Sequence, residues 1–416
     1  MTPTFDILRS AFEGSASIRA GEAADAIDGV LPRSVAEPES SEALAAMLAW
    51  ASREGASVVL RGRGTRLGCG RTPRSIDIVV SLRRLNRVLA HPHGDLTATI
   101  EAGATIGDVN RELARHRQWL PIDAADDDAT IGGAIATNES GPLRHRHGTP
   151  RDLLIGVHLA MTDGRIVKAG GNVVKNVAGY DLGKLLSGSF GSLAAIATAT
   201  FKLAPLPGAS ATVIATFRDS DATARAAAAV NVSQLEPAAF EVHVGRSYRL
   251  VMQFASTPAA IDAQVGDVRR LLAADSFDLV AGDAERDLWR GHMRAVWAAP
   301  GVIVRASWLP ATLPAVLTLV DEIGGQRAGA IEIVGRAGVG AGIIRIDGDH
   351  AWSVAAVERL RAQSDLLGHV VLLRASPAVK QQVDVWGPAR DHAALAGAVK
   401  RTFDPAGILN AGRGPI

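Results

Sequence analysis

The sequence predicts an α+β protein of two domains, and three observations lead to this expectation. The chain has 416 residues, which is more than one ordinary hydrophobic core accommodates. Residues 31–207 alternate amphipathic helices with short apolar strands. After the break at Pro207-Gly208, strands and Ala-rich helices follow in a pattern typical of a domain built on an antiparallel sheet.

We therefore divide the chain into four parts. They are an N-terminal segment, a first domain, an α+β second domain, and a C-terminal helix with its tail: residues 1–30, 31–207, 208–375 and 376–416.

Composition and charge exclude several classes of function. Lys plus Arg number 44 against 43 for Asp plus Glu, a formal net charge of +1, which argues against a general nucleic-acid binder. No stretch approaches the roughly twenty apolar residues that span a bilayer, and the first residues lack a signal-peptide pattern. The single cysteine, Cys69, excludes a disulfide framework and a cysteine-ligated iron–sulfur cluster within this chain. We expect a globular cytoplasmic protein.

The first domain has clear helix and strand signals. Its predicted helices are 41–55, which Ser40 or Ser41 caps and Gly55 ends, and 106–116, which a capping box at Thr105 opens. The predicted strands are the SVVLRG run, 76–82, 97–101, and a hairpin of 156–161 and 165–169 around Asp163-Gly164.

The second domain repeats strand and helix signals more regularly. The predicted strands are 211–217, 240–244, 249–254 and 302–308, and the predicted helices are 221–230 and 261–273. The end of the chain, residues 391–416, reads as a helix followed by an irregular apolar tail with glycines.

The run VVLRGRGTRLGCG, residues 58–70, is a candidate pyrophosphate cradle. Gly62 and Gly64 allow backbone amides to converge on an anion, and Arg61, Arg63 and Arg66 add charges suited to phosphate oxygens. The run is not a Walker loop, and it misses the third glycine of a dinucleotide fingerprint by one place. A purely structural turn remains the alternative for this loop taken alone.

A second glycine segment covers residues 129–141. Gly132-Gly133 lies among polar residues beside an apolar stripe, a surface suited to a heteroaromatic ring with a nearby phosphate. The polar residues are Thr130, Thr137, Asn138 and Ser140. A tight turn leading into a helix of small residues explains this segment equally well.

The third segment, LRHRHGTPRD, is rich in arginine and histidine. Its arginines, Arg144, Arg146 and Arg151, suit anions, and Asp152 can orient one of them. His145 and His147 have the spacing of two metal ligands on one strand face, but no third ligand lies nearby. Solvated or phosphate-facing imidazoles are the favoured interpretation.

The fourth segment runs from Lys175 through Tyr180 and on to SGSFGSL. Tyr180 lies between glycine and aspartate at a predicted helix start. Asp181 has a structural alternative, because it can cap the short helix of residues 182–186.

Together these motifs resemble a known family. The order RGRGT, ATIGG…TN.SGP.R…G..RD, a DG hairpin, KN.AGYDL.KL..GS.G.L and KLAP.P is similar to the PCMH-type FAD-binding domain of the vanillyl-alcohol-oxidase class of flavoproteins. The terminal FDPAGILN.GR is similar to the closing segment of the 2-hydroxyacid branch, which holds D-lactate dehydrogenases and glycolate oxidase. KNVAGYDL most resembles the FAD-binding E subunits of bacterial glycolate oxidases. The resemblance implies a tail that returns to the FAD-binding domain.

The resemblance also implies where FAD binds. Residues 61–66 would wrap the pyrophosphate, residues 189–196 would pass the adenine with Ile196 meeting it through backbone atoms, and Asn410 would approach the isoalloxazine ring. The full set of implied FAD-binding residues is Arg61, Gly62, Arg63, Gly64, Thr65, Arg66, Thr130, Gly132, Gly133, Thr137, Ser140, Gly148, Arg151, Asp152, Ile196 and Asn410. Cys69 and His147 lie in or near loops that carry covalent attachment in this class, yet we expect noncovalent FAD.

One departure from the family concerns the second domain. The 2-hydroxyacid-oxidising members of the family resemble one another in a metal site of paired histidines and acids in that domain. The histidines of this chain are instead scattered singly in the sequence: His243, His292, His350, His369 and His392. We therefore expect no metal. If the chain oxidises substrate itself, Tyr180, Lys175 and Arg305 are the candidates for proton acceptor and carboxylate holder.

Three functions therefore stay open. The first is the FAD-binding subunit of a glycolate oxidase complex, with a second flavoprotein subunit and an iron–sulfur subunit as partners and contact with the inner membrane through them. The second is a flavin-binding scaffold or electron carrier without its own substrate site. The third is a stand-alone FAD-dependent dehydrogenase for an alcohol or D-2-hydroxyacid, with an NADPH-linked cell-wall reductase as a remote variant.

Overall fold

The structure is a computed structural model of the 416-residue chain. It describes residues 5–172, 179–245, 247–325, 329–388, 391 and 393–415.

Nineteen strands follow one another along these residues. They are β1 Ala16–Ala20, β2 Ser34–Pro38, β3 Val58–Arg61, β4 Ile78–Ser81, β5 Val88–Ala90, β6 Thr97–Glu101, β7 Gln118–Trp119, β8 Leu154–Ala160, β9 Ile166–Gly170, β10 Ala195–Lys202, β11 Ala204–Pro205, β12 Ala209–Phe217, β13 Ala239–Val244, β14 Tyr248–Ser256, β15 Ser276–Ala281, β16 Val302–Ser307, β17 Gly329–Arg336, β18 Ala341–Gly348 and β19 His369–Arg374.

The same part of the chain forms fourteen α-helices. They are α1 Phe5–Ala11, α2 Ser41–Glu54, α3 Ile106–Leu113, α4 Ile131–Thr137, α5 Arg144–His147, α6 Pro150–Leu153, α7 Leu182–Leu186, α8 Ser220–Asn231, α9 Pro258–Leu271, α10 Gly282–Ala298, α11 Leu313–Gly324, α12 His350–Ala362, α13 Pro377–Gln382 and α14 Ala393–Phe403.

The chain divides into two compact units. Unit 1 comprises residues 1–140, 149–206 and 388–416, and unit 2 comprises residues 141–148 and 207–387. The short segment 141–148, which the sequence analysis placed in the FAD-binding domain, groups with unit 2.

Unit 1 contains two main sheets. A four-stranded sheet has the order β1-β2-β4-β3, in which β4 pairs in parallel with both β2 and β3. A five-stranded antiparallel sheet has the order β5-β6-β10-β8-β9. The central strand β10 is apolar and almost entirely buried, which places the core of this unit along it.

Unit 2 is built on one eight-stranded sheet with the order β15-β12-β14-β13-β17-β18-β16-β19. Every pairing in it is antiparallel. Alternate side chains such as Phe240, Val242 and Val244 of β13 point into an apolar core that includes residues of α8, α9, α11 and α12. The residues between them, such as Glu241 and His243, point to the opposite face of the sheet because strand side chains alternate.

This architecture confirms the predicted α+β fold class. The strands at 97–101 and the helix at 182–186 have their expected bounds, and the Asp163-Gly164 hairpin joins β8 to β9 with Gly164 at φ +88°. Helix α2 ends one residue early, at Glu54, with Gly55 in the left-handed region at φ +63°. The helix predicted over 106–116 is α-helical only to Leu113 and continues as one 3-10 turn.

The C-terminal tail lies in unit 1, beside the strand that precedes the glycine loop. The Val58 amide donates to the Ile408 carbonyl at 2.9 Å, and the Asn410 amide donates to the Val58 carbonyl at 2.8 Å. The Asp404 side chain folds this tail, accepting from the amides of Ile408 at 3.2 Å and Leu409 at 2.8 Å. The tail therefore joins β3 at its first residue through an isolated parallel bridge between Val58 and Leu409.

A lysine also holds the C-terminal tail in place. The Lys400 ammonium donates to Asp404 at 2.5 Å, to the Ser192 carbonyl at 2.6 Å and to the Leu409 carbonyl at 3.0 Å. Asp404 is only 1% exposed, so its charge relies on these donors rather than on water.

We expect Asp404→Ala to lower the free energy of unfolding by about 2–4 kcal/mol, because it leaves a lysine and two amides without their acceptor. Urea unfolding of the whole chain measures this. Asp267→Ala, which removes an exposed pair with Arg270, is the matched control and should shift stability by less than about 1 kcal/mol. Equal midpoints for the two variants would show that Asp404 does not hold the tail.

Candidate functional site: glycine loops of unit 1 and an ionisable cluster of unit 2

The loop after β3 requires glycine at two positions. A Cβ on Gly62 would lie 2.1 Å from Thr130 Oγ1, so the backbone here approaches the second glycine segment too closely for any side chain. Gly64 has φ +85°, in the left-handed region. In the described residues, the backbone amides of Gly62, Arg63, Gly64 and Thr65 donate no hydrogen bond to the protein. These amides form a donor set of the kind that holds phosphate.

Arg61 lies under this loop. Its Nη1 donates to Asp25 Oδ1 at 2.7 Å, and its Cδ is 3.7 Å from where a Gly64 Cβ would be. Asp25 also accepts from both terminal nitrogens of Arg19, at 2.6 and 2.9 Å. Arg61 is thus tied to a carboxylate of the N-terminal segment, while its buried Nε has no partner among the described residues.

This pairing changes the acidity of Asp25. Hydrogen bonds from Arg19 hold the pKa of the carboxyl well below its usual range, and Arg61 acts in the same direction although burial opposes it. Asp25 is therefore ionised at neutral pH and stabilises the folded protein through the two guanidinium groups.

The two other arginines of the loop differ from each other. Arg66 is mostly buried and forms an ion pair with Glu139, which also accepts the Ala125 amide at 3.2 Å. Arg63 is exposed. Of the three arginines expected at a pyrophosphate, two are therefore bound to carboxylates, and their charges position the loop as well as attract anions.

The second glycine segment forms α4. Thr130 caps this helix, accepting from the Gly133 amide at 3.2 Å, and Thr137 Oγ1 donates to the Gly133 carbonyl at 2.8 Å. A Cβ on Gly132 would lie 2.9 Å from Ala102 Cβ, so this glycine allows α4 to pack on the end of β6. The turn into a helix of small residues, one of the two alternatives for this segment, is present, and it coexists with the polar edge. Ser140 is half-buried at the end of this segment.

Residues 148–152, which follow α4 and α5 in the chain, are positioned by side chains that accept hydrogen bonds from backbone amides. The Arg151 amide donates to Asn138 Oδ1 at 3.3 Å, and its side chain is exposed. Asp152 accepts from both the amide and the hydroxyl of Thr149 at 2.8 Å, which closes a capping box on α6. Gly148 has φ +81° and belongs to unit 2.

The fourth segment meets the second. The amides of Gly188 and Phe190 donate to the carbonyls of Ile135 and Ala136 at 3.0 and 2.8 Å. Asn410 of the tail donates its side-chain amide to the Phe190 carbonyl, and Ser189 Oγ is buried without a partner among the described residues. Ile196 follows in β10, beside an irregularity in the pairing with β8.

The segments 62–66, 130–138 and 188–191 thus form one cradle in unit 1. Its open donors are the amides of the first segment, the Nε of Arg61 and the hydroxyl of Ser189. Such a set of neutral and cationic donors, with no carboxylate among the open groups, fits the phosphates of FAD. The side-chain amide of Asn410 contacts the cradle by donating a hydrogen bond to the Phe190 carbonyl.

The structure describes two of the three candidate catalytic residues, one in each unit. Tyr180 is 93% exposed at the start of α7, where Asp181 caps the helix by accepting the Lys184 amide at 3.0 Å. Lys175 lies outside the described residues. Arg305 is half-buried on β16 of unit 2.

Unit 2 carries a set of neighbouring ionisable side chains whose proximity the sequence does not predict. They occupy the face of the eight-stranded sheet opposite the helix-packed core, together with one histidine of α10. We call them the ionisable cluster: Glu241, His243, Arg249, His292, Glu332, Arg336 and Arg345. His243 and His292, which stand apart in the sequence, are neighbours in the fold, with ring centroids 6.2 Å apart.

Two buried glutamates each hold an arginine. Glu241 is 0% exposed, and its Oε1 is 3.3 Å from the Nε of Arg336, while its Oε2 is 3.4 Å from Nε2 of His292. Glu332 accepts from Arg345 at 3.2 Å and contacts His243. The hydrogen bond from His243, supported by Arg345, lowers the pKa of Glu332 to about 2 despite burial.

The partners of His243 define its tautomer. Nη2 of Arg249 donates to Nδ1 at 3.0 Å, so Nδ1 accepts and the ring proton is on Nε2, facing Glu332. His243 thus links a guanidinium to a carboxylate through its two ring nitrogens.

His145 corrects another expectation. It is not a solvated imidazole, because its ring packs edge-on against Phe240 at 5.9 Å, within unit 2. Burial lowers its pKa, so it is neutral at pH 7. Among the described residues, no group of three or more His, Cys, Asp or Glu side chains is arranged to hold a metal ion.

A sequence signal for the cluster exists. Glu241 and His243 alternate with large apolar residues in AFEVHV, where a strand with one buried face would place ordinary surface residues. Their burial becomes apparent only when the strand order puts β13 in the middle of the sheet. Asp25 had no comparable signal, since its partner Arg61 is 36 residues away.

We expect Gly62→Ala to lose FAD, because the new methyl group would meet Thr130 and push the loop away. The measurement is the flavin-to-protein ratio after purification, followed by the Kd of FAD for the apoprotein. Gly68→Ala is the matched control in the same loop, since its Cβ would have no heavy atom within 4 Å. Wild-type affinity in Gly62→Ala would show that the close approach is unnecessary.

We expect Asp25→Asn to lower the free energy of unfolding by about 3 kcal/mol at pH 7, since it removes the charge between two arginines. Because the folded pKa of Asp25 lies below its unfolded value, this contribution is present above about pH 4 and is lost as the pH falls toward the folded pKa. The difference from the wild type should therefore begin to shrink below about pH 5 in urea unfolding and keep shrinking as the pH falls toward the folded pKa. The exposed Asp95→Asn variant serves as control; a difference independent of pH would contradict the assignment.

Comparison with known proteins supports the interpretation of the cradle as an FAD-binding site. Residues 32–170 match the FAD binding domain family. The chain is 31% identical over 212 residues to glycolate oxidase subunit GlcD of Bacillus subtilis, covering 51% of this chain and 45% of that protein. It is 30% identical over 179 residues to glycolate oxidase subunit GlcE of Escherichia coli, covering 42% of this chain and 50% of that protein. The matched region thus spans about half the length of these relatives.

A solved structure extends the likeness of fold to both units. The xylooligosaccharide oxidase of Myceliophthora thermophila C1 aligns over 100% of each chain with a TM-score of 0.72 and 14% identity. At that identity the likeness concerns the fold alone. Residues 32–170 are thus similar to FAD-binding domains, FAD is the cofactor that this match supports, and the chain is related to FAD-dependent oxidoreductases.

Proposed function

We propose that this chain is an FAD-dependent oxidoreductase that acts as the FAD-binding subunit of a glycolate oxidase complex. Its reaction would convert glycolate, or a related 2-hydroxyacid, to the 2-oxoacid. The observation that carries the proposal is the cradle of unit 1, with its open amides and buried Arg61 Nε, in a chain similar to two glycolate oxidase subunits.

The cradle assigns distinct tasks to the proposed FAD-binding residues. The amides of residues 62–65 would hold the pyrophosphate, and Arg61 would support them from below while Asp25 fixes its position. Residues of α4 and of the 188–196 segment would line the rest of the cofactor, and Asn410 would secure that segment through Phe190. The remaining members are Arg66, Thr130, Gly132, Gly133, Thr137, Ser140, Gly148, Arg151, Asp152 and Ile196.

Oxidation of a hydroxyacid needs a proton acceptor and a cation for the carboxylate. Bound FAD supplies the acceptor for the hydride. We propose Tyr180 and Lys175 as candidates for proton transfer and Arg305 for the carboxylate. Arg305 is supported by its position on β16, where it alternates with Val304 and Ala306 of the apolar core and therefore lies on the same face as the ionisable cluster.

Electron transfer beyond the flavin would require partners. Cys69 alone cannot ligate an iron–sulfur cluster, since such clusters take four thiolates or a comparable set. We therefore propose a second flavoprotein subunit and an iron–sulfur subunit as partners, with any contact at the inner membrane made through them. No helix in the described ranges combines the length and apolar character needed to cross a bilayer.

A stand-alone dehydrogenase for a D-2-hydroxyacid is the second candidate. The ionisable cluster favours it, because buried Glu, His and Arg side chains on one sheet face are groups that a catalytic site in this chain would use. A scaffold or electron carrier without a substrate site is the third candidate. The experiment below distinguishes it from the first two.

The test is an absorbance spectrum of the purified chain, followed by anaerobic addition of glycolate and of D-lactate. We expect flavin bands that bleach with glycolate when the partner subunits are present. Bleaching by the isolated chain would favour the stand-alone dehydrogenase. Bands that persist under both conditions would leave a scaffold, and a preparation that binds no flavin after addition of FAD would overturn the whole proposal.

A further inference from the structure

Arg249 differs from the other arginines of the ionisable cluster. Arg336 and Arg345 each lie within 3.3 Å of a glutamate oxygen. Arg249 has no carboxylate partner within ion-pair distance among the described residues, and its one side-chain hydrogen bond is the donation to His243. Its Nε is buried and has no acceptor in that part of the chain. A partly buried cation without a counter-charge is costly unless something else neutralises it.

The neighbours of Arg249 hold it without neutralising it. In the strand register, Arg249 lies opposite His243 on β13 and opposite Thr216 on β12, so these side chains share its face of the sheet. His243 accepts from Nη2 and is itself held by Glu332. The guanidinium is thus oriented by the His243 ring on one side and flanked by the hydroxyl of Thr216 on the other.

The nearby carboxylates are already paired. Glu332 accepts hydrogen bonds from His243 and Arg345, and Glu241 lies within ion-pair distance of Arg336 and His292. An anion arriving at Arg249 therefore meets glutamates whose charge is compensated. The buried Nε–H, which has no partner among the described residues, and the remaining guanidinium hydrogens match the two oxygens of a carboxylate, which arginine binds through parallel hydrogen bonds.

We propose that Arg249 binds the carboxylate group of a small organic acid on this face of unit 2, with His243 as the residue that positions it. The inference rests on the proposed function, since it names the group that would hold the hydroxyacid. It assigns the carboxylate to Arg249 in preference to Arg305.

A proton acceptor lies in the same cluster. His292 is beside the buried Glu241, and its ring is 6.2 Å from that of His243. An imidazole whose Nε2 lies 3.4 Å from a carboxylate oxygen is held in place by it, an arrangement that suits acceptance of a hydroxyl proton. The cluster accordingly offers a cation for a carboxylate and an acceptor for a hydroxyl proton. A 2-hydroxyacid carries a carboxylate and a hydroxyl on adjacent carbons.

The experiment measures binding of oxalate, a dicarboxylate that the flavin cannot oxidise by hydride loss, to the FAD-loaded full chain by titration calorimetry. We expect wild type to bind and Arg249→Met to lose about tenfold or more in affinity. Arg249→Lys should recover part of it, because an ammonium keeps the charge but not the fork. Arg218→Met is the control, as Arg218 is exposed and paired with Asp219.

Flavin content and melting temperature of each variant show whether it is folded, and Arg249→Lys tests the proposal if Arg249→Met does not fold. Unchanged affinity in Arg249→Met, or no oxalate binding by the wild type, overturns the proposal. Loss in Arg305→Met with retention in Arg249→Met also overturns it and returns the carboxylate to Arg305.

These results separate the two proposals. Bleaching of the flavin by glycolate without Arg249-dependent oxalate binding leaves the proposed function and removes the carboxylate site. Arg249-dependent binding without reduction of the flavin by any hydroxyacid, even with the partner subunits, supports the site and removes the proposed function.

Discussion

The close approach of the backbone at Gly62 to Thr130 is the constraint on which the cofactor cradle depends. It brings the end of β3 to within contact of the N-cap of α4, and this leaves no room for a side chain at residue 62. Strand β3 is fixed on one side by β4 and on the other by the tail residues around Leu409. The strand that carries the loop is therefore held by β4 along its length and by the tail at its first residue, Val58.

Charge is used in opposite ways in the two units. In unit 1, Asp25 binds two arginines and leaves the Nε of Arg61 open beneath the loop. In unit 2, Glu241 and Glu332 bind the arginines opposite them in the sheet, and Arg249 remains without an acid. Buried ion pairs contribute little net stability compared with apolar residues, so such pairs are better explained by the orientation they impose.

Local sequence patterns predicted the elements that depend on neighbouring residues. The cap at Thr105, the left-handed end of α2 at Gly55 and the Asp163-Gly164 turn all follow from residues within one turn of each other. The cradle was predictable because glycines and small polar residues cluster within each segment. The resemblance to a flavoprotein family added the order of the segments, which single loops do not contain.

What the sequence did not predict depends on pairing over long distances. Asp25 and Arg61 are separated by 36 residues, and Glu241 and His292 by 51. No local rule connects such pairs, because the strand order that joins β13 to both β14 and β17 is a property of the whole sheet. The arginines of the glycine loop illustrate the same point, since composition predicted their charge but not that two of the three already have carboxylate partners.

That last observation bears on how the cradle would hold an anion. With Nη1 of Arg61 on Asp25 and Arg66 on Glu139, the positive charge of the loop is largely compensated before any phosphate arrives. Phosphate binding then falls to the unpaired amides and to Arg61 Nε, which are donors of defined direction. A site of this kind selects a pyrophosphate by shape more than by net charge, in keeping with a chain whose formal charge is only +1.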